Sequence, residues 1–220
     1  MLEVGCGTGQ DALALAGRVA PEGEIICLDL SRAMIDEARR RNQGTRLPVT
    51  FVQGDAHQLP FEDNAFDRCR ADRTFQHLPN PERALAEMIR VMKPGGLLLI
   101  VEPDHETLVV DTPYKDVTRR FLAFRADGLC QGDIAHRLFA LYRERGLTEV
   151  GVEPMTEVAT DYAAINGVMG FDRGMRTTAE HGVVTRAEAE RWIAYVEEAA
   201  RAGHFFYAMT FFITTGRKPA

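Results

Sequence analysis

The sequence predicts an α/β fold built on a doubly wound, mostly parallel sheet of seven strands. Three observations carry that prediction. The apolar stretch Leu2-Glu3-Val4 runs straight into the glycine turn Gly5-Cys6-Gly7-Thr8-Gly9. A second apolar stretch, Ile25-Ile26-Cys27-Leu28, ends on the acid Asp29. Strand-like and helix-like segments then alternate through the first hundred residues, as parallel strands joined by helical crossovers require.

Residues 10–19 (QDALALAGRV) bring Leu13, Leu15 and Ala16 to helical spacing and stop before the turn Pro21-Glu22-Gly23. Strand two covers 24–28. Ser31 is placed to cap a helix over 31–41, whose Met34, Ile35 and Ala38 share a face. Strand three spans 49–52 and ends at Gly54-Asp55. Strand four spans 66–71, although Arg68 and Arg70 make it unusually charged. Proline suits the first turn of a helix over 81–92, with Leu85, Met88, Ile89 and Met92 as its buried stripe and Lys93-Pro94-Gly95-Gly96 as its stop. The run 97–101 is apolar throughout, which suits the middle of a parallel sheet.

Beyond Glu102, helices are expected over 114–126, 133–145 and 185–202, and strands over 150–158 and 205–215. The glycines and methionines of 162–182 fit either a cap over a pocket, drawn at 159–184, or an irregular surface helix. Residues 1–220 read as one domain. The chain begins where such domains already carry a helix or two, so an N-terminal lid segment is expected to be absent.

Composition narrows the function classes. The formal net charge is -6 with no basic block, which argues against bulk electrostatic binding of nucleic acid. No apolar stretch reaches membrane-spanning length and no secretory signal begins the chain, so a cytoplasmic protein with no membrane partner is expected. Cys6, Cys27, Cys69 and Cys130 have no metal-ligand spacing, and no HExxH or tight His/Cys/Asp cluster occurs, so no metal is expected. Ser31 is the only serine, which removes a serine-hydrolase mechanism. A monomer or homodimer is expected.

The glycine turn has the spacing G-x-G-x-G. Gln10 stands where the dinucleotide fingerprint needs its last glycine, and no G-K-[ST] follows. Asp29, twenty-two residues after Gly7, is placed to accept two ribose hydroxyls, an arrangement that nicotinamide enzymes share. Glu3 beside the turn suits an ammonium or sulfonium better than a pyrophosphate. Gly54-Asp55-Ala56 adds a third acidic strand tip, within reach of an adenine amino group, and Met34 either packs on that ring or belongs to the core. Three carboxylates round one crevice favour a cationic, phosphate-free cofactor.

These residues resemble the class I S-adenosylmethionine-dependent methyltransferases, in the small-molecule branch that includes ubiquinone and menaquinone C-methyltransferases. The matching pieces are LEVGCGTG at 2–9, LDLS at 28–31, GDAHQLPF at 54–61, FDRCRADRTFQHL at 66–78 and RVMKPGG at 90–96. The resemblance implies the strand order 3-2-1-4-5-7-6 and S-adenosyl-L-methionine as cofactor. It implies that Glu3, Gly5, Cys6, Gly7 and Gly9 surround the methionine moiety, with Ala71 at the strand-four end beside it. It further assigns Asp29 to the ribose, Leu30 or Met34 to the adenine face, and Gly54, Asp55 and Ala56 to the adenine edge. The implied activity is methyl transfer to a small, partly apolar metabolite by in-line displacement.

Catalytic candidates lie just past the carboxyl ends of strands: Asp72 and Arg73 after strand four, His77 beyond them, and His105 after strand five. His105 is the preferred base, and a solvated loop histidine is its rival. An NAD-dependent oxidoreductase and a non-catalytic cofactor-binding domain are the competing functions.

Overall fold

The computed structural model describes residues 1–19 and 23–220, so most of the turn expected at Pro21-Glu22-Gly23 lies outside the described residues. The elements run β1 (Leu2–Val4), α1 (Gln10–Val19), β2 (Ile25–Asp29), α2 (Arg32–Asn42), β3 (Val49–Gln53), β4 (Phe66–Asp72), α3 (Pro81–Val91) and β5 (Met92–Pro103). They continue as β6 (Val109–Val110), α4 (Lys115–Asp127), α5 (Ile134–Glu144), β7 (Thr148–Ala159), α6 (Tyr162–Met169), α7 (Phe171–Glu180), α8 (Arg186–Arg201) and β8 (Tyr207–Arg217). The strand order is β3-β2-β1-β4-β5-β8-β6, with β7 beside β8. The expected sixth and seventh strands are β7 and β8, so the expected order is met with one short extra strand, β6. Two compact units divide the chain.

The first unit holds Met1–Glu102, His136–Glu153 and Ile213–Ala220. β1 lies between β2 and β4, parallel to both. Leu2 and Val4 are wholly buried, which a strand covered on both faces requires. The small residues Ala12, Ala16 and Ala38 let α1 and α2 approach the sheet, where Ile25, Cys27, Ile35 and Phe51 complete one cluster. Ser31 caps α2 as expected, accepting from the Met34 N–H.

α3 stops near its expected end, but residues 93–96 are not a free turn. Met92 pairs with Phe66 and Leu97 with Arg68, so these four residues bulge out of β5 opposite Asp67 alone. Gly95, at φ 74°, turns the bulge, and its N–H donates to the Lys218 carbonyl at 2.8 Å. The Lys218 ammonium donates to the carbonyls of Ile89 and Met92, at 2.9 and 2.8 Å. A cation thus closes the negative end of α3.

The second unit holds Pro103–Ala135 and Pro154–Phe212. Its core is aromatic: Phe121, Phe171 and Trp192 meet edge to face, with centroids 5.4 to 6.2 Å apart. The unreadable stretch 162–182 is two short helices hinged at Gly170, whose φ of 63° only glycine adopts at little cost. Phe171, Met175 and Thr178 bury one face of α7. Of the aromatics and methionines around this stretch, Phe121, Tyr162, Phe171, Met175 and Phe205 are core, while Phe206 is partly exposed. α8 begins with a reciprocal capping box between Thr185 and Glu188.

The buried Trp192 indole N–H donates to the Thr118 hydroxyl at 2.9 Å, which in turn donates to the Tyr114 carbonyl at 3.0 Å. Thr118→Val keeps the shape and leaves that indole donor unmet, so it should cost about 1–3 kcal/mol. Urea unfolding should show a lowered midpoint with an unchanged slope.

Candidate functional site

The three glycines of the first turn answer to three different neighbours. All have positive φ, 73° at Gly5, 52° at Gly7 and 75° at Gly9. A Cβ on Gly5 would lie 2.2 Å from the Thr74 hydroxyl, and one on Gly9 would lie 2.6 Å from the Phe51 ring. A Cβ on Gly7 would meet nothing within 4 Å. Gly5 and Gly9 therefore serve close packing, and Gly7 borders open space.

Four of the five N–H groups of the turn are engaged within the protein. Those of Gly5 and Cys6 donate to the Leu28 carbonyl at 2.7 and 3.1 Å, and that of Gly9 to the Cys6 carbonyl at 2.9 Å. The Gly7 N–H donates to Asp29 Oδ2 at 2.8 Å, while the Ser31 N–H donates to Asp29 Oδ1, also at 2.8 Å. Asp29 thus ties the glycine turn to the start of α2. A turn bonded in this way has little left with which to cradle a diphosphate.

Register builds the charged side of the site. Glu3 of β1 and Arg70 of β4 are direct partners in the parallel ladder, so their side chains share a face. The Arg70 guanidinium hydrogen-bonds Glu3 Oε1 and reaches Asp72 Oδ2 at 2.6 Å. Arg73 continues the chain to Asp72 at 2.9 Å and to Asp11 of α1 at 3.0 Å. Glu3 is only 2% exposed, and its Oε2 is buried with no hydrogen-bond partner. Burial pushes its carboxyl up to about 7, outweighing the pull of Arg70 in the other direction.

The segment after β4 is held by Glu102, an acid that closes the apolar run of β5. Its buried carboxylate accepts the backbone N–H groups of Thr74, Phe75 and Gln76, at 2.6, 2.5 and 3.4 Å. Three donors favour the ionised form, but burial is the larger effect and raises this carboxyl to about 7 as well. Arg73 takes a φ of 52°, strained for a side-chain-bearing residue, and its N–H is fixed on the Val101 carbonyl at 2.8 Å. Glu102 was not among the sequence candidates. Its signal was an acid ending an apolar strand, the feature that singled out Asp29.

A cavity of about 320 Å³ results, lined by Glu3, Gly5, Cys6, Gly7, Thr8, Gln10, Asp11, Asp72 and Arg73. It brings together the candidates expected at the methionine end, apart from the buried Gly9 and Ala71. Asp29, Leu30, Met34, Gly54, Asp55 and Ala56 do not line it. Leu30 and Met34 are exposed, whereas Ala56 is buried. Asp55 accepts the His57 N–H at 2.9 Å and lies 2.6 Å from the His57 ring, bonds that hold its carboxyl below the usual range. His77 is exposed, in a single 3₁₀ turn (Phe75–His77). His105 belongs to the second unit, buried in the 3₁₀ turn His105–Thr107. Among the described residues no helix is long and apolar enough to cross a membrane.

Residues 2–100 match the family model of a methyltransferase domain. The chain is 36% identical over 218 residues to an uncharacterized 37.1 kDa protein in transposon TN4556 of Streptomyces fradiae, covering 98% of this chain and 61% of that protein. It is 39% identical over 109 residues to the demethylmenaquinone methyltransferase of Staphylococcus aureus, covering 50% of this chain and 45% of that enzyme. The chain therefore spans between about half and three-fifths of the length of these curated relatives. The crystal structure of the YcgJ protein from Bacillus subtilis shares the fold, with a TM-score of 0.68 at 20% identity over 100% of this chain and 91% of that one. That of the [4+2]-cyclase SpnF gives a TM-score of 0.58 at 27% identity over 100% of this chain and 74% of that one. The first hundred residues are thereby related to methyltransferase domains, and the chain shares its fold with these two solved structures.

Arg70→Met strands the Glu3 carboxylate in the sheet and should cost about 3 kcal/mol at pH 8. The penalty should shrink at pH 5.5. With its folded-state pKa raised further above the unfolded value, Glu3 keeps a proton that the unfolded chain releases, so stability falls as pH climbs from about 4.5 through 7. Urea midpoints at the two pH values check this, and an equal loss at both would contradict it.

Proposed function

We propose that this protein, whose first hundred residues match a methyltransferase domain, moves the methyl group of S-adenosylmethionine to a small, partly apolar metabolite by in-line displacement. The observation that carries this reading is the Glu3 carboxylate. It is buried in a cavity wall, one oxygen on Arg70 and the other unmet, beside a glycine turn four of whose five N–H groups are bonded within the protein. A ligand bearing ammonium and sulfonium charges and no phosphate suits that chemistry, and a diphosphate does not.

In this reading Glu3, Gly5, Cys6 and Gly7 surround the methionine moiety. Each oxygen of Asp29 holds one N–H and keeps a lone pair for a ribose hydroxyl. Leu30 and Met34 offer exposed apolar surface to the adenine, and Gly54, Asp55 and Ala56 its edge contacts. When bound, the cofactor supplies the electrophilic methyl group. The chain's own residues must hold the acceptor atom about 3 to 3.5 Å away and in line. His105 is the proposed base, with Asp72, Arg73 and His77 as further candidates. Local identity to the demethylmenaquinone methyltransferase supports an acceptor of partly apolar character.

Calorimetry separates the competing readings. S-adenosylhomocysteine should bind and NAD should not, and Asp29→Ala should weaken the former about 10- to 100-fold. S-adenosylmethionine should bind more tightly as pH rises through 7 and Glu3 ionises, while Glu3→Gln should flatten that dependence. Binding of NAD alone rejects the proposal. Binding of S-adenosylhomocysteine with no methyl transfer to phenols, quinols or amines favours a non-catalytic domain or another reaction on the same fold.

His105→Ala should lower turnover by about 10²-fold or more while leaving S-adenosylhomocysteine binding unchanged. Unaltered turnover would remove His105 from the mechanism.

A further inference from the structure

Two guanidinium groups of the second unit meet at one cavity, have no carboxylate partner among the described residues, and play no part in the methyl-transfer reading. Arg125 projects from α4 and Arg173 from α7, and both line a cavity of about 170 Å³ whose walls include Phe121 and Phe124. Arg125 is the unusual one. Its Nε is buried with no hydrogen-bond partner, and its Nη2 reaches only the Met169 sulfur, at 4.0 Å. The guanidinium lies over the Phe171 ring, 5.5 Å from the centroid. That contact engages the guanidinium charge and satisfies none of its donors.

A half-buried cation beside a second cation is an arrangement that folding alone disfavours. Burial first, and then the Arg173 charge, lower the pKa of Arg125 from its ordinary value. Asp172, the acid next to Arg173 in the chain, is committed elsewhere: it accepts from the Tyr162 hydroxyl and from the Asn166 amide. The Tyr207 hydroxyl, which the Arg125 charge also reaches, is a second buried polar group without a partner.

The space is built into α7. Gly174 sits inside that helix, where glycine weakens helical structure and needs a reason. A Cβ there would come within 3.2 Å of the Phe121 ring and 3.5 Å of an Arg125 Nη. The missing side chain keeps the cavity floor clear beneath the guanidinium.

We propose that Arg125 and Arg173 form an oxyanion-binding site in the second unit, which takes the carboxylate or phosphate group of a small ligand against the Phe121 and Phe124 rings. A guanidinium offers paired N–H donors to two oxygens of either group, and the anion supplies the charge that the surrounding fold does not. The volume holds the anionic end of a molecule and excludes a whole nucleotide. The site stands independently of the methyl-transfer reading, since all of its residues lie in the second unit.

The test is thermal unfolding of the full chain with benzoate or inorganic phosphate at constant ionic strength. One of the two should raise the Tm of the wild-type protein in a saturable way, benzoate if the source is an organic carboxylate and phosphate if it is a phosphate group. Arg125→Met and Arg173→Met should each weaken the apparent affinity about tenfold or more. Arg173 is exposed, so its variant keeps the test decisive if Arg125→Met fails to fold. No shift with either anion, or equal shifts in wild type and variants, overturns the proposal.

Discussion

Glu3 lies in the central strand of a parallel sheet, where a carboxylate costs several kcal/mol to bury unless a cation meets it. Parallel register puts Arg70 directly opposite, and the alternation of side chains along β4 puts Asp72 on the same face. Arg73 and Asp11 then extend the row of alternating charges to the first turn of α1. One side of the cavity is thus a consequence of strand pairing. Its charges stand in a fixed order because the backbones that carry them are hydrogen-bonded, not because long side chains happen to meet at a surface.

The other constraint on the site is the path of the chain after β4. Arg73 adopts a left-handed conformation and Thr74 fills the space above Gly5, an arrangement that would not persist without support. Glu102 provides it by gathering three consecutive N–H groups from the next strand along. Two carboxylates that each titrate near 7 therefore do different work. Glu3 keeps an oxygen unmet in the cavity wall, while Glu102 is turned wholly inward as a structural acceptor.

Much of the first hundred residues was legible because each element there obeys its local rule. The bounds of α1 were read correctly, Ser31 caps α2, and Pro81 opens α3. The first four strands were placed to within a residue, since their apolar runs end at glycine or acid, whereas β5 starts five residues before the apolar run that marked it. The charged β4 looked anomalous because the partner of Arg70 is sixty-seven residues away, and pairing across strands leaves no local trace. The same holds for Glu102, whose three donors lie on another segment. Residues 162–182 were opaque for a different reason: Gly170 and Gly174 break the helical signal, one as a hinge and one to make room for neighbours. Lys93-Pro94-Gly95-Gly96 carried every mark of a free turn, and only the pairing on either side shows it to be a bulge.

The division of labour within the first turn bears on how this sequence can diverge. Gly5 and Gly9 are locked by Thr74 and Phe51, so a descendant that replaced either would have to rebuild the neighbouring side chain at the same time. Gly7 meets no neighbour but is held at a φ of 52°, so a descendant could exchange it only for a residue that tolerates the left-handed conformation, such as asparagine. Such an exchange would leave the packing of Thr74 and Phe51 alone and reshape what the crevice admits, so that ligand preference drifts while the architecture stays still.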